Sequence, residues 1–419
     1  MFHNRNYICV LDIGSSKVAA CVASIQRKAI TGIWFEQSPS RGIRDGAIVD
    51  PAELVTCLSG VMNNLRRRSG IPVHTVYTTV PANEVVIRHS HAIIPLAERG
   101  NKVITIQDVR CAEEQARILG ASLDEEIMHA VPVSFTVDGK SAVSNPIGLY
   151  GHKLQIDLLL VCGRTATIQN LDRVIHQSGY EIADIFFSGV STSRAVFSMP
   201  MREGITVLCD IGSDTTELML FNEGVLRDVD VLSLGGRHLT EALRSSLKVP
   251  FELAEDIKKS YGLVGGAEQI DEDKEILVKK SSLYRPIKQR LVAEVVHEQA
   301  RSMCLLIKDS LEKKIPCYEV KHFVAVGRTA LVEGFIEMLE QTLAVPVRLG
   351  VVENPHLRNA ARDQVIPSGQ NRVPYLSALG ILCEALYGTD DISRKSAGLP
   401  VNIFSSAFQT IKSVYKDYF

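Results

Sequence analysis

Nowhere in this chain does an apolar run approach the roughly 18 residues that a membrane-spanning helix needs. Neither sign of charge is in excess: 46 Lys and Arg stand against 48 Asp and Glu, a formal net charge of -2. Such a balance offers no global attraction to nucleic acid or anionic lipid. Nucleic acid is therefore not expected as a partner, and lipid binding would need a local patch. Paired cysteines are missing too. Nine cysteines lie scattered from Cys9 to Cys383 with no C-x-x-C spacing, and Cys9 and Cys209 sit in apolar runs where a thiol behaves as a small hydrophobe. That usage points to a reduced, cytosolic setting and argues against a metal site built on thiols. The first residues pass from His3, Asn4 and Arg5 directly into a strand pattern, with no sign of a signal peptide.

What is present is a soluble composition, 46% hydrophobic and 22% charged, on 419 residues, too many for one compact core. The informative feature is a phrase used twice. "NYICVLDIGSSKVAACVAS" opens the chain and "ITVLCDIGSDTTELMLFNE" restarts it near the middle. Each reads as a β run, then Asp-Ile-Gly-Ser, then a second β run. A strand–turn–strand with Asp at the end of the first strand suits a phosphate cradle. Gly14 and Gly212 allow a sharp turn and a close approach of backbone N–H groups to an anion. The hydroxyls of Ser15, Ser16, Thr215 and Thr216 are candidate donors to phosphate oxygens, with Ser213 and Asp214 in the second turn. Lys17 supplies a positive point charge. Asp12 and Asp210 would hold Mg²⁺ through water, because Mg²⁺ keeps most of its hydration shell.

Around these hairpins the pattern is mixed α/β. "DPAELVTCLSGVMNNLRRRSG" reads as a helix with Asp50 as N-cap, Pro51 at its first position and Gly70 at its stop. The three arginines at its end complement the helix dipole. Residues from about 84 to 164 form a distinct α+β unit: three strands around the helix "TIQDVRCAEEQARILG". Later come the helices "RHLTEALRSSLK" and "PFELAEDIKKSYG", a polar stretch from Gly265 to Lys280, and a long helix through "PIKQRLVAEVVHEQARSMCLLIKDSLEKK". "HFVAVG" is a strand ending in a glycine turn, and "VPYLSALGILCEALYG" a late apolar helix. His89 and His91, two apart on a strand, lack the further ligands a metal would need.

Two similar α/β halves facing one another would clamp a polyphosphate between two hairpins, and this arrangement resembles the actin-like ATPase superfamily. "VLDIGSSKVAACVA" and "VLCDIGSDTTELMLF" are similar to its two phosphate motifs, and "HFVAVGRTALVEGFIEML" to its adenosine motif. Within that superfamily the chain resembles FtsA, the bacterial cell-division actin homologue. "SRGIRDGAIVD", "LSLGGRHLTEAL", "ELAEDIKKSYG" and "YLSALGILCEAL" carry the likeness, and "AVPVSFTVDGKSAVSNPIGLYGHKLQIDLLLVCGRTATIQNL" resembles the subdomain inserted in FtsA. Two departures stand out. Ser213 and Asp214 occupy positions where the family has consecutive glycines, and Arg328 stands where it has a second glycine.

The resemblance implies an α/β, actin-like (ribonuclease-H-like) two-lobed fold. Its first lobe core would comprise 1–83 and 165–197, with an inserted subdomain at 84–164. The second lobe core would comprise 198–235 and 321–388, with a small subdomain at 236–320. It further implies ATP and Mg²⁺ as ligands, with adenosine near Glu255, Lys258, Gly327 and Arg328, and with Gly235, Gly236 and Thr329 among the nucleotide-binding positions. No residue stands out as a base to activate water, so at most slow ATPase activity is expected. Implied partners are FtsZ, further copies of the chain in a polymer, later membrane proteins of the divisome, and the cytoplasmic face of the inner membrane at the division site. Two rival readings are a PilM-like pilus-assembly actin homologue and a small-molecule kinase of the same superfamily.

After a linker at 389–401, residues 402–419, "NIFSSAFQTIKSVYKDYF", place every apolar side chain on one arc of a helical wheel and every polar one on the other, at about 100° per residue. Phe404, Phe408, Ile411, Tyr415 and Phe419 lie on the apolar arc, and Lys412 and Lys416 on the polar arc near its edge. An amphipathic helix of this kind suits an interfacial lipid anchor.

Overall fold

The computed structural model describes residues 7–27, 29–96, 102–266, 270–271, 274–280, 283–357 and 373–387. The linker 389–401 and the terminal segment 402–419 lie outside the described residues, together with Phe404, Phe408, Ile411, Lys412, Tyr415, Lys416 and Phe419.

Each copy of the repeated phrase folds as an antiparallel hairpin inside a five-stranded sheet, and the two sheets share one topology. The first is built from β1 (Tyr7–Ile13), β2 (Lys17–Gln26), β3 (Ala29–Pro39), β4 (Thr75–Thr79) and later β8 (Glu181–Phe186), in the order β8-β4-β1-β2-β3. The second uses β9 (Ile205–Ile211), β10 (Thr216–Asn222), β11 (Val225–Leu232), β14 (His322–Val326) and β15 (Val347–Leu349), in the order β11-β10-β9-β14-β15. In both, a three-stranded antiparallel meander is extended by two parallel strands. The near-continuous apolar strands VLCDI and ICVLDI follow from this, since a central strand is covered on both faces.

Helix α1 (Pro51–Ser69) starts and stops as expected. Asp50 accepts from the Glu53 amide, Pro51 follows, and Gly70 ends the helix at φ 70°. Its Leu54, Leu58, Val61, Met62 and Leu65 join α3 (Thr165–Gln177) against one face of the first sheet. The second sheet is covered likewise by α5 (Gly236–Leu247), α6 (Phe251–Tyr261), α7 (Gln289–Glu312) and α8 (Phe335–Leu343).

Between the sheets lies a shared layer. Helix α4 (Ser188–Val196) and helix α9 (Leu376–Tyr387) pack together, and their core includes Val10 and Cys21 from the first sheet and Leu208 and Met219 from the second. Helix α9, placed by sequence with the second lobe, sits against β1 and β2 of the first. The inserted unit is a separate sheet in the order β5-β7-β6, formed by β5 (Val85–Pro95), β6 (Glu125–Val137) and β7 (Lys153–Arg164), with α2 (Ile106–Gly120) on one face. Leu159 and Val161 of β7 point from its other face into the shared layer.

One stretch folds otherwise than expected. Within the polar stretch 265–280 and the start of the long helix stands a hairpin, β12 (Glu275–Lys280) with β13 (Leu283–Lys288). Ile276 and Ile287 are register partners and both are buried, so a period-two pattern carried by few residues outweighed the surrounding polarity. Pro286 is accommodated because a two-stranded ribbon is all edge. The long helix accordingly begins at Gln289.

Candidate functional site

The tips of the two repeated hairpins meet at one cleft between the lobes. Its cavity of about 150 Å³ is lined by Asp12, Gly14, Ser15, Ser16 and Lys17 from the first hairpin and by Asp210, Gly212, Ser213, Asp214 and Thr215 from the second. Gly327 and Arg328, after β14, complete that wall.

The two turns close identically. The Gly14 amide donates to the Lys17 carbonyl at 3.0 Å, and the Gly212 amide donates to the Thr215 carbonyl at 2.9 Å. These glycine amides are thus spent inside the turns. Among the described residues, the amides of Ser15, Ser16, Ser213 and Asp214 have no backbone acceptor, and they are the donors the turns leave for an anion. Neither Ser213 nor Asp214 adopts a positive φ, so the absence of consecutive glycines costs the second turn no backbone strain. Arg328 is also in an ordinary helical conformation, φ -70°, and its side chain is exposed at the rim.

Charge in the cleft is concentrated on acids. Lys17 Nζ lies 3.4 Å from Asp12 and donates to the carbonyl of Pro374. Burial, with the Asp12 charge second, pushes the Asp210 carboxyl up to about 6, and Lys17 only partly offsets this. Glu217, the register partner of Asp210 on β10, is buried. Burial, then the charges of Asp210 and Asp12, hold it well above the usual carboxylate range. One oxygen each of Asp214 and Glu217 is buried without a hydrogen-bond partner. Asp214 Oδ1 accepts from Ser213 Oγ at 3.1 Å and lies 4.0 Å from Arg237, which rests over the Phe251 ring. Carboxylate oxygens without partners and amides without backbone acceptors thus line one cleft, a donor set suited to a cation and an anion together. A magnesium-bound phosphate chain fits that donor set.

Several of the expected residues lie away from this cavity. Thr216 points away from the cleft: it is fully buried and its hydroxyl donates to Leu234 O at 2.9 Å. The Gly235 amide donates to His238 Nδ1, and the Gly236 amide to Gly212 O at 2.9 Å. These glycines carry the second turn on the start of α5, and a Cβ on Gly235 would collide with Ser213 O. Thr329 donates to Gly212 O at 2.7 Å, a brace of the same kind. Glu255 and Lys258 are paired at 2.6 Å, and Lys258 also donates to Gly236 O and Thr240 Oγ1. Burial lowers Lys258 despite Glu255; burial raises Glu255, but the Lys258 charge and hydrogen bonds outweigh it and bring it down. None of Thr216, Gly235, Gly236, Glu255, Lys258 or Thr329 lines the cavity. The cavity is smaller than the roughly 300–1,000 Å³ of a small-molecule pocket, so in this state it suits the phosphate end of a nucleotide.

The structure also adds residues. Glu217, Thr79, Asn83, Ser188, Pro374 and Ser377 line the cleft. Glu217 was legible in principle: a tight hairpin pairs positions symmetrically about its turn, which sets 217 opposite 210 as it sets Ala19 opposite Asp12. The others come from distant segments and carry no local signal.

Comparison with known proteins adds a family likeness. A family model described as cell division protein FtsA matches residues 207–369, and one described as the SHS2 domain inserted in FtsA matches residues 82–162. The chain is 24% identical over 411 residues to the cell division protein FtsA of Pseudomonas aeruginosa, covering 96% of this chain and 93% of the relative. It is 26% identical over 350 residues to that of Bacillus subtilis, covering 83% and 79%. Among solved structures, a chain of a PilM-PilN type IV pilus biogenesis complex superposes with a TM-score of 0.62 at 16% identity, covering 91% of this chain and 98% of that one. At that identity the likeness is one of fold.

Proposed function

Because this chain belongs to the FtsA family of cell-division proteins and has an actin-like fold with the inserted SHS2 domain, we propose that it binds Mg·ATP between its two repeated hairpins and works as a membrane-bound polymer at the division site. The observation that carries the nucleotide reading is the convergence of Asp12 and Asp210 on one cleft, each at the end of a strand whose turn presents unpaired amides. Asp12 and Asp210 would hold Mg²⁺ through water. Ser15, Ser16, Ser213 and Asp214 would donate their amides to phosphate oxygens, with Lys17 as the counter-charge. Magnesium supplies neutralisation of phosphate charge in a site otherwise rich in carboxylates. Adenosine would extend toward Gly327 and the Arg328 rim.

On this reading the protein tethers FtsZ filaments to the inner face of the bacterial membrane and recruits later divisome proteins. Residues 402–419 supply the anchor. One such helix binds lipid weakly because its insertion is offset by ordering, whereas a polymer arrays many helices on one surface and gains by avidity. The pilus-assembly reading has a fold likeness in its favour, but both matching family models are of FtsA. Titration with a fluorescent ATP analogue in the presence and absence of Mg²⁺ tests the nucleotide reading directly. A flat curve in both conditions would overturn it.

A further inference from the structure

Helix α9 is fastened at both ends to chemically distinct places. At its entry, Lys17 of the first phosphate turn donates its ammonium to the carbonyl of Pro374, two residues before the helix. Tyr375 packs its ring on Phe35 at 4.8 Å between centroids, so this end is seated on the first sheet. In the middle, Gly380 touches the α4 backbone so closely that a Cβ would collide with Ser191 O. Near its exit, Glu384 is buried in a polar knot. Ser191 Oγ donates to Glu384 Oε2, while Arg194 and His129 Nδ1 each stand 3.5 Å from Glu384 Oε1. Ser191 and Arg194 belong to α4, but His129 belongs to β6 of the inserted subdomain.

The histidine fixes the direction of this knot. Its Nε2 accepts the Phe187 amide at 2.9 Å, so in the neutral ring the proton sits on Nδ1 and faces Glu384. Burial lowers the His129 pKa, with Glu384 opposing and Arg194 assisting, which keeps that ring neutral. Glu384 Oε1 makes no hydrogen bond, and it stands at the outer edge of reach from two donors at once. A buried carboxylate in that position is sensitive to small shifts of the helix that carries it.

We propose that α9 is a mechanical link between the cleft and the inserted subdomain. An anion in the cleft competes with the Pro374 carbonyl for Lys17 and releases the entry of α9. The helix then slides on its close contact at Gly380, and Glu384 changes its grip on His129 and hence on β6. The trigger rests on the nucleotide reading above; the link does not. Two sites, one shared rigid element and different contacts at each end are what such coupling requires.

The test is hydrogen–deuterium exchange on the full chain, followed at residues 125–137 and at the Phe187 amide. Lys17→Met without nucleotide removes the entry tie, and exchange at both places should rise by about threefold or more relative to wild type. The rise should vanish when Glu384→Gln is also present, and His129→Gln serves as a second way to cut the exit if that variant melts early. Mg·ATP added to wild type should reproduce the Lys17→Met response. Unchanged exchange in Lys17→Met, or a response of equal size with the exit cut, would overturn the link. A chain that responds to Lys17→Met but binds no ATP analogue would keep the link and remove the nucleotide as its trigger.

Discussion

Asp210 and Glu217 are register partners across the β9–β10 hairpin, and both line the same cleft wall. The equivalent pair in the first hairpin is Asp12 and Ala19, so only the second lobe doubles its carboxylate. Beyond burial, the charges of Asp210 and Asp12 raise the proton affinity of Glu217, and that of Asp12 raises the proton affinity of Asp210, because negative charges in a buried wall repel. A bound cation would relieve that repulsion. Replacing Asp210 with Ala is therefore expected to weaken Mg·ATP binding by about tenfold or more, on the order of 1.4 kcal/mol. An unchanged titration curve would argue against the cleft as the magnesium site.

Thr216 offers a contrasting test inside the same motif. Its hydroxyl is buried and bonded to Leu234 O, away from the cavity. Thr216→Val should cost about 1 kcal/mol of stability in a denaturant melt, because it strands one buried carbonyl. Nucleotide affinity should stay as it was. A large loss of affinity with unaltered stability would return Thr216 to the phosphate site.

Gly327 adopts φ 87°, and a Cβ there would lie 2.6 Å from Asp210 Oδ1 and collide with Ile211 O. Gly327→Ala should lower stability by about 1–3 kcal/mol and displace Asp210, so affinity should fall as well. Gly70→Ala is the control: φ is similar, at 70°, but nothing lies within 4 Å of a Cβ. The control should lose stability alone. Equal effects on affinity from both variants would show that backbone strain rather than the contact with Asp210 matters.

Asp184 on β8 supplies a pH dependence outside the cleft. Burial, with Glu384 adding to it, lifts its carboxyl to about 6, against a partial offset from the Ile185 amide. A carboxyl whose folded value is raised favours the folded state below its unfolded value, and that contribution is lost as pH rises through about 6. Wild-type stability should thus fall between pH 4 and pH 7 by up to about 2 kcal/mol from this group, after discounting for its partial exposure. Asp184→Asn should remove that slope and be the more stable protein at pH 8. Parallel melting profiles for the two proteins would show the carboxyl to be unstrained.

Removing residues 402–419 should abolish co-sedimentation with anionic liposomes, given the complete separation of apolar and polar side chains on that wheel. Undiminished pelleting of the shortened chain would remove the anchor from the proposed function.

By itself the sequence determined what repeats locally. Two Asp-Ile-Gly-Ser hairpins, the capped helix from Pro51 to Ser69 and the inserted α+β unit were legible because turn chemistry, caps and strand periodicity act over a few residues. Only the tertiary structure decided which atoms are free to bind. Thr216 and Gly235 carry suitable groups, yet their donors are consumed by Leu234 and His238, and Glu255 and Lys258 answer each other. Pro374 and Ser377 reach the cleft because α9 returns to the first sheet from the far end of the chain. Local chemistry sets what a residue offers, whereas satisfaction of buried polar groups depends on whatever the whole fold places within hydrogen-bond distance.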